Sequence, residues 1–233
     1  MAATKFEALM PEILLPIFPL PNVVFFPKIF LPLHIFEPRY KQMIEDVLQG
    51  EGQIGMVLLQ EGWQTDYFGS PPVHRIGCIG KIETHEKLPQ GRCNVLLHGR
   101  HRFEVVDFVK EKPYRLAQVR LLEDSPFLLE PHDQLKARDA LLEKFVTYLT
   151  DVLGMELQED RLDRAAPLAT VVNQVAAVLD IPLQQKQGLL EIMTMENRLT
   201  EVKNIVENSL SYAGKLRRVV QRMRFAPENP EVN

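Results

Sequence analysis

The chain has 233 residues, 45% of them hydrophobic and 25% charged, with a formal net charge of -4 at pH 7. That length and apolar content exclude a disordered chain and leave room for one large or two modest domains. The acidic balance excludes a protein that coats nucleic acid or an acidic membrane by charge alone.

The opening stretch FPLPNVVFFPKIFLPLHIFEPRYKQM carries Pro19, Pro21, Pro27, Pro32 and Pro38 between runs apolar enough to be core. Proline is tolerated at strand starts, edges and bulges, so the stretch reads as a strand over 23–26, a turn at Pro27 and Lys28, a strand over 30–35 and then a helix. That helix starts at Pro38, repeats Tyr40, Met43, Ile44 and Val47 at helical spacing, and stops at Gly50. Further short strands are expected over 54–59, 76–85, 94–97, 103–109 and 115–121, each rich in Val, Ile, Phe or Leu and bounded by turn residues. Several strands at this spacing predict a closed or nearly closed β-barrel.

From Pro131 the period changes to that of helices. Leu135, Leu142, Phe145, Leu149 and Val152 form one stripe, and Leu168, Val171, Val172, Val175 and Leu179 another. A short helix is expected over 183–192 and a last one from an N-cap at Thr194, with Leu199, Val202, Val206 and Leu210 on one face. The predicted fold is therefore α+β: an N-terminal β-barrel with one inserted helix, then a C-terminal helical bundle. Residues 1–127 form the first part and 128–233 the second, with the junction over 123–131. The final residues, APENPEVN, are expected to be a disordered tail.

Few residues suggest catalysis. Gly50, Gly52 and Gly55 spell G-x-G-x-x-G, but they follow a helix and open a strand, the reverse of a dinucleotide site. No phosphate-binding Gly-Lys-Ser/Thr loop occurs, and none of the four serines lies in a nucleophile elbow. Cys78 and Cys93 lack metal spacing and are too few for a disulfide framework; if residues 87–91 form a hairpin turn, Cys93 pairs near Glu86 and His98 near Lys81. His98 and His101 are expected to flank a turn at Gly99, with no third ligand evident. The expectation is a non-enzyme without metal or cofactor.

Two features read as binding surfaces. In the loop over 61–72, Trp63, Tyr67 and Phe68 stand among polar residues, either as contacts for a peptide or folded back over a barrel end. The basic segment 215–225, beyond the last clear helix, either complements a helix dipole or contacts RNA, a membrane or a partner.

Phe18 to Pro21, Val23 to Pro27 and Leu31 to Tyr40, with Gly55, Gly77, Gly80, Gly99, Arg102, Phe103, Lys186, Gln187, Arg198 and Leu199 in order, resemble the LON substrate-binding domain of the ATP-dependent Lon proteases. The string Ile35-Phe36-Glu37-Pro38-Arg39-Tyr40 is similar to the short, free-standing branch of that family. The resemblance spans about 13–210 and implies a PUA-like barrel followed by a helical bundle. Pro27, Pro32, Phe36, Glu37, Arg39 and Tyr40 are the motif residues, of which Glu37, Arg39 and Tyr40 are expected to lock helix to barrel by an ion pair or hydrogen bond. Lon proteases continue into an ATPase and a Ser–Lys peptidase, for which this chain has no room, so a stand-alone, non-catalytic domain is expected.

The resemblance further implies a peptide- or protein-binding module that takes unfolded or hydrophobic polypeptide segments and partners a protease or its substrates. An RNA-binding PUA-like protein and a small-ligand-binding protein are the alternatives. The barrel half lacks a basic strip interleaved with aromatics, which disfavours nucleic acid. No uninterrupted apolar run is long enough to cross a bilayer, and the N-terminus lacks the order of a signal peptide, so a cytoplasmic protein with no membrane partner is expected.

Overall fold

The computed structural model describes residues 12–66, 69–155 and 163–224. Six strands come first, β1 (Glu12–Leu20), β2 (Phe30–Ile35), β3 (Gln53–Leu58), β4 (Ile76–Lys87), β5 (Cys93–Lys110) and β6 (Arg115–Leu122), with helix α1 (Pro38–Leu48) inserted between β2 and β3. They form one sheet in the order β2-β5-β4-β3-β1-β6, and β5 also pairs with β6. The ring β1-β3-β4-β5-β6 thus closes, unevenly, while β2 lies outside it along the first half of β5. The described architecture is the expected mixed α+β one, with a helical region following the sheet.

The prolines of β1 sit where the ladder is one-sided. Residues 12–17 pair with β6 and residues 17–20 with β3. Pro16 therefore falls before β3 has joined and Pro19 after β6 has left, so neither missing N–H breaks a bond on its open side. Pro32 lies in β2, which pairs with β5 alone.

Residues 23–26 form no strand, contrary to the sequence reading. Residues 24–26 are instead buried between the two halves: Val24 and Phe26 enter the core of the helical half, while Phe25 enters the barrel core beneath α1. An alternating segment with core on both sides needs no ladder to account for its apolar character. The turn that follows presses on β5, where a Cβ built on Gly99 would come 2.2 Å from the Phe26 carbonyl oxygen. Only glycine lets the two backbones approach this closely. Gly99 is thus an interior residue of one long strand, and the expected turn between residues 94–97 and 103–109 does not exist. The β4–β5 hairpin does turn over Pro89–Gly91, and its register sets Cys93 opposite Lys87 and His98 opposite Lys81.

The helical half contains α2 (Pro131–Asp151), α3 (Leu168–Val178), α4 (Leu183–Glu191) and α5 (Met195–Arg224). In α2 the buried stripe is Leu141, Leu142, Phe145, Tyr148 and Leu149, whereas Leu135 and Val152 are exposed, so the predicted stripe is too long at both ends. The expected α3 stripe is buried throughout. Thr194 accepts a bond at its Oγ1 from the Asn197 N–H at 3.4 Å and caps α5 as expected. That helix runs on to Arg224, so the basic segment is its last part rather than a separate piece; Phe225 and APENPEVN lie outside the described residues.

Candidate functional site

Glu37, Arg39 and Tyr40 of the motif lie at the start of α1, whereas Pro27 lies in the turn before β2, Pro32 within β2 and Phe36 exposed after it. Pro38 occupies the first helical position after Glu37, whose backbone is extended. The Glu37 carboxylate accepts a bond from Arg39 Nε at 3.0 Å. The Arg39 guanidinium lies 4.6 Å over the Tyr40 ring, and the Tyr40 ring is 4.0 Å from that of Phe18 in β1. Tyr40 is thereby held between a cation and an aromatic ring, which fastens α1 to the barrel. Arg39 and Tyr40 also line, with Gly69, Pro71, Tyr114 and Arg115, a cavity of about 20 Å³. The motif and the loop over 61–72 meet there, but the space suits a single water rather than a ligand.

Trp63 opens a short 3-10 turn, Trp63–Asp66, and is half-buried against the barrel-end cluster of Leu59, Val73 and Phe103. Tyr67 and Phe68 lie outside the described residues.

A second surface runs along β2. Leu31, Leu33 and Ile35 turn inward to the barrel core. Phe30, Pro32 and His34 turn outward, and Phe36 continues their stripe; Phe30 is 56% and Phe36 61% exposed. Phe30 stacks on His98 of β5 at 4.6 Å, and His34 Nδ1 lies 2.8 Å from Asn94 Oδ1. The ladder phase follows from two bonds at the strand's start, Lys28 N–H to Gly99 O and Gly99 N–H to Ile29 O, both 2.8 Å. Alternation from Ile29 gives the pairing bonds with β5 to Leu31, Leu33 and Ile35. The backbone groups of Phe30, Pro32 and His34 consequently face the open side, where no described strand pairs. Chemically this is an edge that can accept one more strand, with a gap at Pro32, beside a row of exposed apolar rings.

The remaining sequence candidates do not converge. His98 Nδ1 is 3.5 Å from Glu83, while His101, three residues on, is exposed. Among the described residues no three His, Cys, Asp or Glu side chains are placed to hold a metal ion. Burial pushes the thiols of Cys78 and Cys93 up, with the Glu45 charge adding to the rise at Cys93, so neither is a ready thiolate. Gly50 and Gly52 form the helix-to-strand turn expected of them.

The family description "ATP-dependent protease La (LON) substrate-binding domain" matches residues 14–208, most of the chain. The chain belongs to this family. Lon protease 2 of Herpetosiphon aurantiacus is 26% identical over 201 residues, covering 84% of this chain and 24% of that protein. Lon protease 2 of Myxococcus xanthus is 28% identical over 196 residues, covering 82% of this chain and 23% of that one. This LON-family chain therefore spans about a quarter of the length of the curated relatives it matches. The Lon N-terminal domain protein from Xanthomonas campestris superposes with a TM-score of 0.60 at 23% identity, covering 82% of this chain and 98% of the other. The N-terminal domain of the Mycobacterium avium complex Lon protease gives 0.61 at 14% identity, with 83% and 98% covered. At these identities the two structures bear on the fold alone.

The sequence reading passed over Phe30 and His34 as surface residues. The available signal was Pro32: a proline inside an alternating apolar strand marks an edge.

Proposed function

We propose that this LON-family chain is a non-catalytic recognition module for polypeptides, which takes unfolded or hydrophobic segments as an added strand along β2. The observation that carries this reading is the open β2 edge with Phe30 and Phe36 exposed beside it. Main-chain bonding to an edge gives affinity without demanding one sequence, and exposed rings favour apolar side chains at alternate positions. Family membership supports a substrate-recognition role, and the same reading makes a protease or its substrates the natural partner, in the cytoplasm. Trp63, Tyr67 and Phe68 are proposed as a second contact on the loop. The absence of a basic strip interleaved with aromatics in the barrel half disfavours an RNA-binding PUA-like role, and the cavity at the motif is too small for more than about one water.

Binding of a fluorescent, permanently unfolded polypeptide, such as reduced carboxymethylated lactalbumin, tests the proposal. Phe30→Ser with Phe36→Ser should weaken it roughly tenfold, in keeping with the loss of two aromatic contacts. An unfolded chain that fails to bind, or that binds the double variant equally well, would overturn the β2 assignment. Loss of binding in Trp63→Ala/Tyr67→Ala/Phe68→Ala alone would move the site to the loop.

A further inference from the structure

A groove of about 530 Å³ lies between α1 and the β4–β5 hairpin, on the side of the sheet away from the Phe30 stripe. Its floor is apolar, with Ile44 and Leu48 one turn apart on α1 and Leu88 facing them from the hairpin. Ile44 is buried, but Leu48 is 41% exposed, a costly position for a leucine beside a concave surface. Cys93 closes the bottom.

The rim is cationic. Lys41 from α1, Lys87 from β4 and Arg92 from the hairpin turn line it, together with His85, against the single carboxylate of Glu45. Lys41 Nζ donates to the Gln90 carbonyl at 3.0 Å and Arg92 Nε to the Pro89 carbonyl at 3.3 Å, so both side chains are held at the hairpin tip by neutral groups. Several arginines elsewhere, among them Arg39, Arg100, Arg102, Arg115 and Arg120, have a carboxylate within ion-pair distance, whereas Arg75, like Arg92, is held by carbonyls. Among the described residues, no ion pair is recorded for Lys41, Lys87 or Arg92. Three cations against one carboxylate around one apolar trough, on a chain of net charge -4, form a local positive field of the kind that recruits carboxylates.

We propose that this groove docks an acidic, amphipathic polypeptide segment, its carboxylates on Lys41, Lys87 and Arg92 and its apolar side chains on Ile44, Leu48 and Leu88. The site is distinct from the β2 edge, since it recognises side-chain charge and an apolar face rather than a strand's backbone. The floor offers no aromatic ring on which bases could stack, which favours a peptide over a nucleic acid. The concave shape and the Glu45 carboxylate inside it favour a peptide over an anionic membrane.

The test is fluorescence anisotropy of the full chain with labelled peptides of Leu-Glu-Glu-Leu repeats and with Gln and Lys counterparts. The Glu peptide should bind, the Gln peptide more weakly and the Lys peptide not at all, and added salt should weaken the Glu complex. Lys87→Glu with Arg92→Glu, both at the solvent-facing rim, should weaken binding about tenfold or more with an unchanged thermal melt. Leu48→Ala should weaken it independently, and Phe30→Ser should leave it unchanged. Equal binding of the Gln and Glu peptides, or an undiminished affinity in the rim variant, overturns the proposal. So does binding of poly-uridine RNA or phosphatidylserine vesicles by a protein that ignores the Glu peptide.

Discussion

Arg102 of β5 and Arg198 of α5, both with fully buried side chains, share the carboxylate of Asp124, whose Oδ1 lies 2.7 Å from Arg102 Nη2 and 2.9 Å from Arg198 Nη2. Arg102 also donates to the carbonyls of Leu190 and Ile192, and Arg198 to those of Ile192 and to Asn173 Oδ1. One carboxylate and several carbonyls thus neutralise two guanidiniums where strand, connecting segment and last helix meet. Replacing Asp124 by Asn leaves two buried cations facing each other without a counter-charge. The expected loss is about 3 kcal/mol, read as a lower urea midpoint. A midpoint within error of the parent would show that the carbonyls alone suffice.

Gly99 and Gly188 should respond oppositely to alanine. At Gly99 the added Cβ would meet the Phe26 carbonyl oxygen at 2.2 Å, and backbone cannot give way as a flexible side chain can. Gly99→Ala is expected to cost about 2–3 kcal/mol. Gly188 lies inside α4 with nothing within 4 Å of its Cβ position, so Gly188→Ala should stabilise by about 1 kcal/mol. Thermal melts of the two variants make the comparison directly.

The phenol of Tyr114 donates to Asp46 Oδ2 at 2.6 Å. Burial, then this bond and then the Asp46 charge push its pKa from 10.0 up to about 12. A group whose folded pKa is raised holds its contribution below the unfolded value and loses it as pH rises. Stability should therefore fall between about pH 10 and about pH 12, and Tyr114→Phe should flatten that part of the curve. The bond to Tyr114 and that to Gln42 hold the Asp46 carboxyl below its usual range, so their contribution is present above that range and fades in acid. Phenolate absorbance and urea midpoints across the alkaline range check the Tyr114 claim, and urea midpoints in acid check the Asp46 one.

Neither thiol should react quickly in the native protein. Cys78 is wholly buried and Cys93 nearly so, and burial raises both thiols, which leaves little thiolate to attack a reagent. Dithionitrobenzoate should titrate both within seconds in denaturant and slowly without it. Prompt labelling of Cys93 alone would mean that the floor of the α1 groove opens.

Weakened capture of an unfolded chain by Phe30→Ser/Phe36→Ser, with the Leu-Glu-Glu-Leu peptide unaffected, would assign separate partners to the two faces of the β2-β5-β4 ribbon. Anisotropy with both probes on one preparation decides it.

Local chemistry in the sequence determined much of the molecule. The period of Tyr40, Met43, Ile44 and Val47 places α1, the hairpin residues set the β4–β5 register, and the α3 stripe is buried as its spacing requires. These features depend on neighbours within a few turns or on one short loop, so patterning suffices to reveal them. Tertiary structure alone decided the rest. Val24, Phe25 and Phe26 read as a strand because apolar alternation does not distinguish a ladder from a segment with core on both sides. Gly99 read as a turn because the Phe26 carbonyl that demands it is remote in sequence. The open side of β2 and the cationic rim of the α1 groove arise from which strands lack a neighbour and which charges lack a partner. Both are properties of long-range pairing, and no local window of residues carries them.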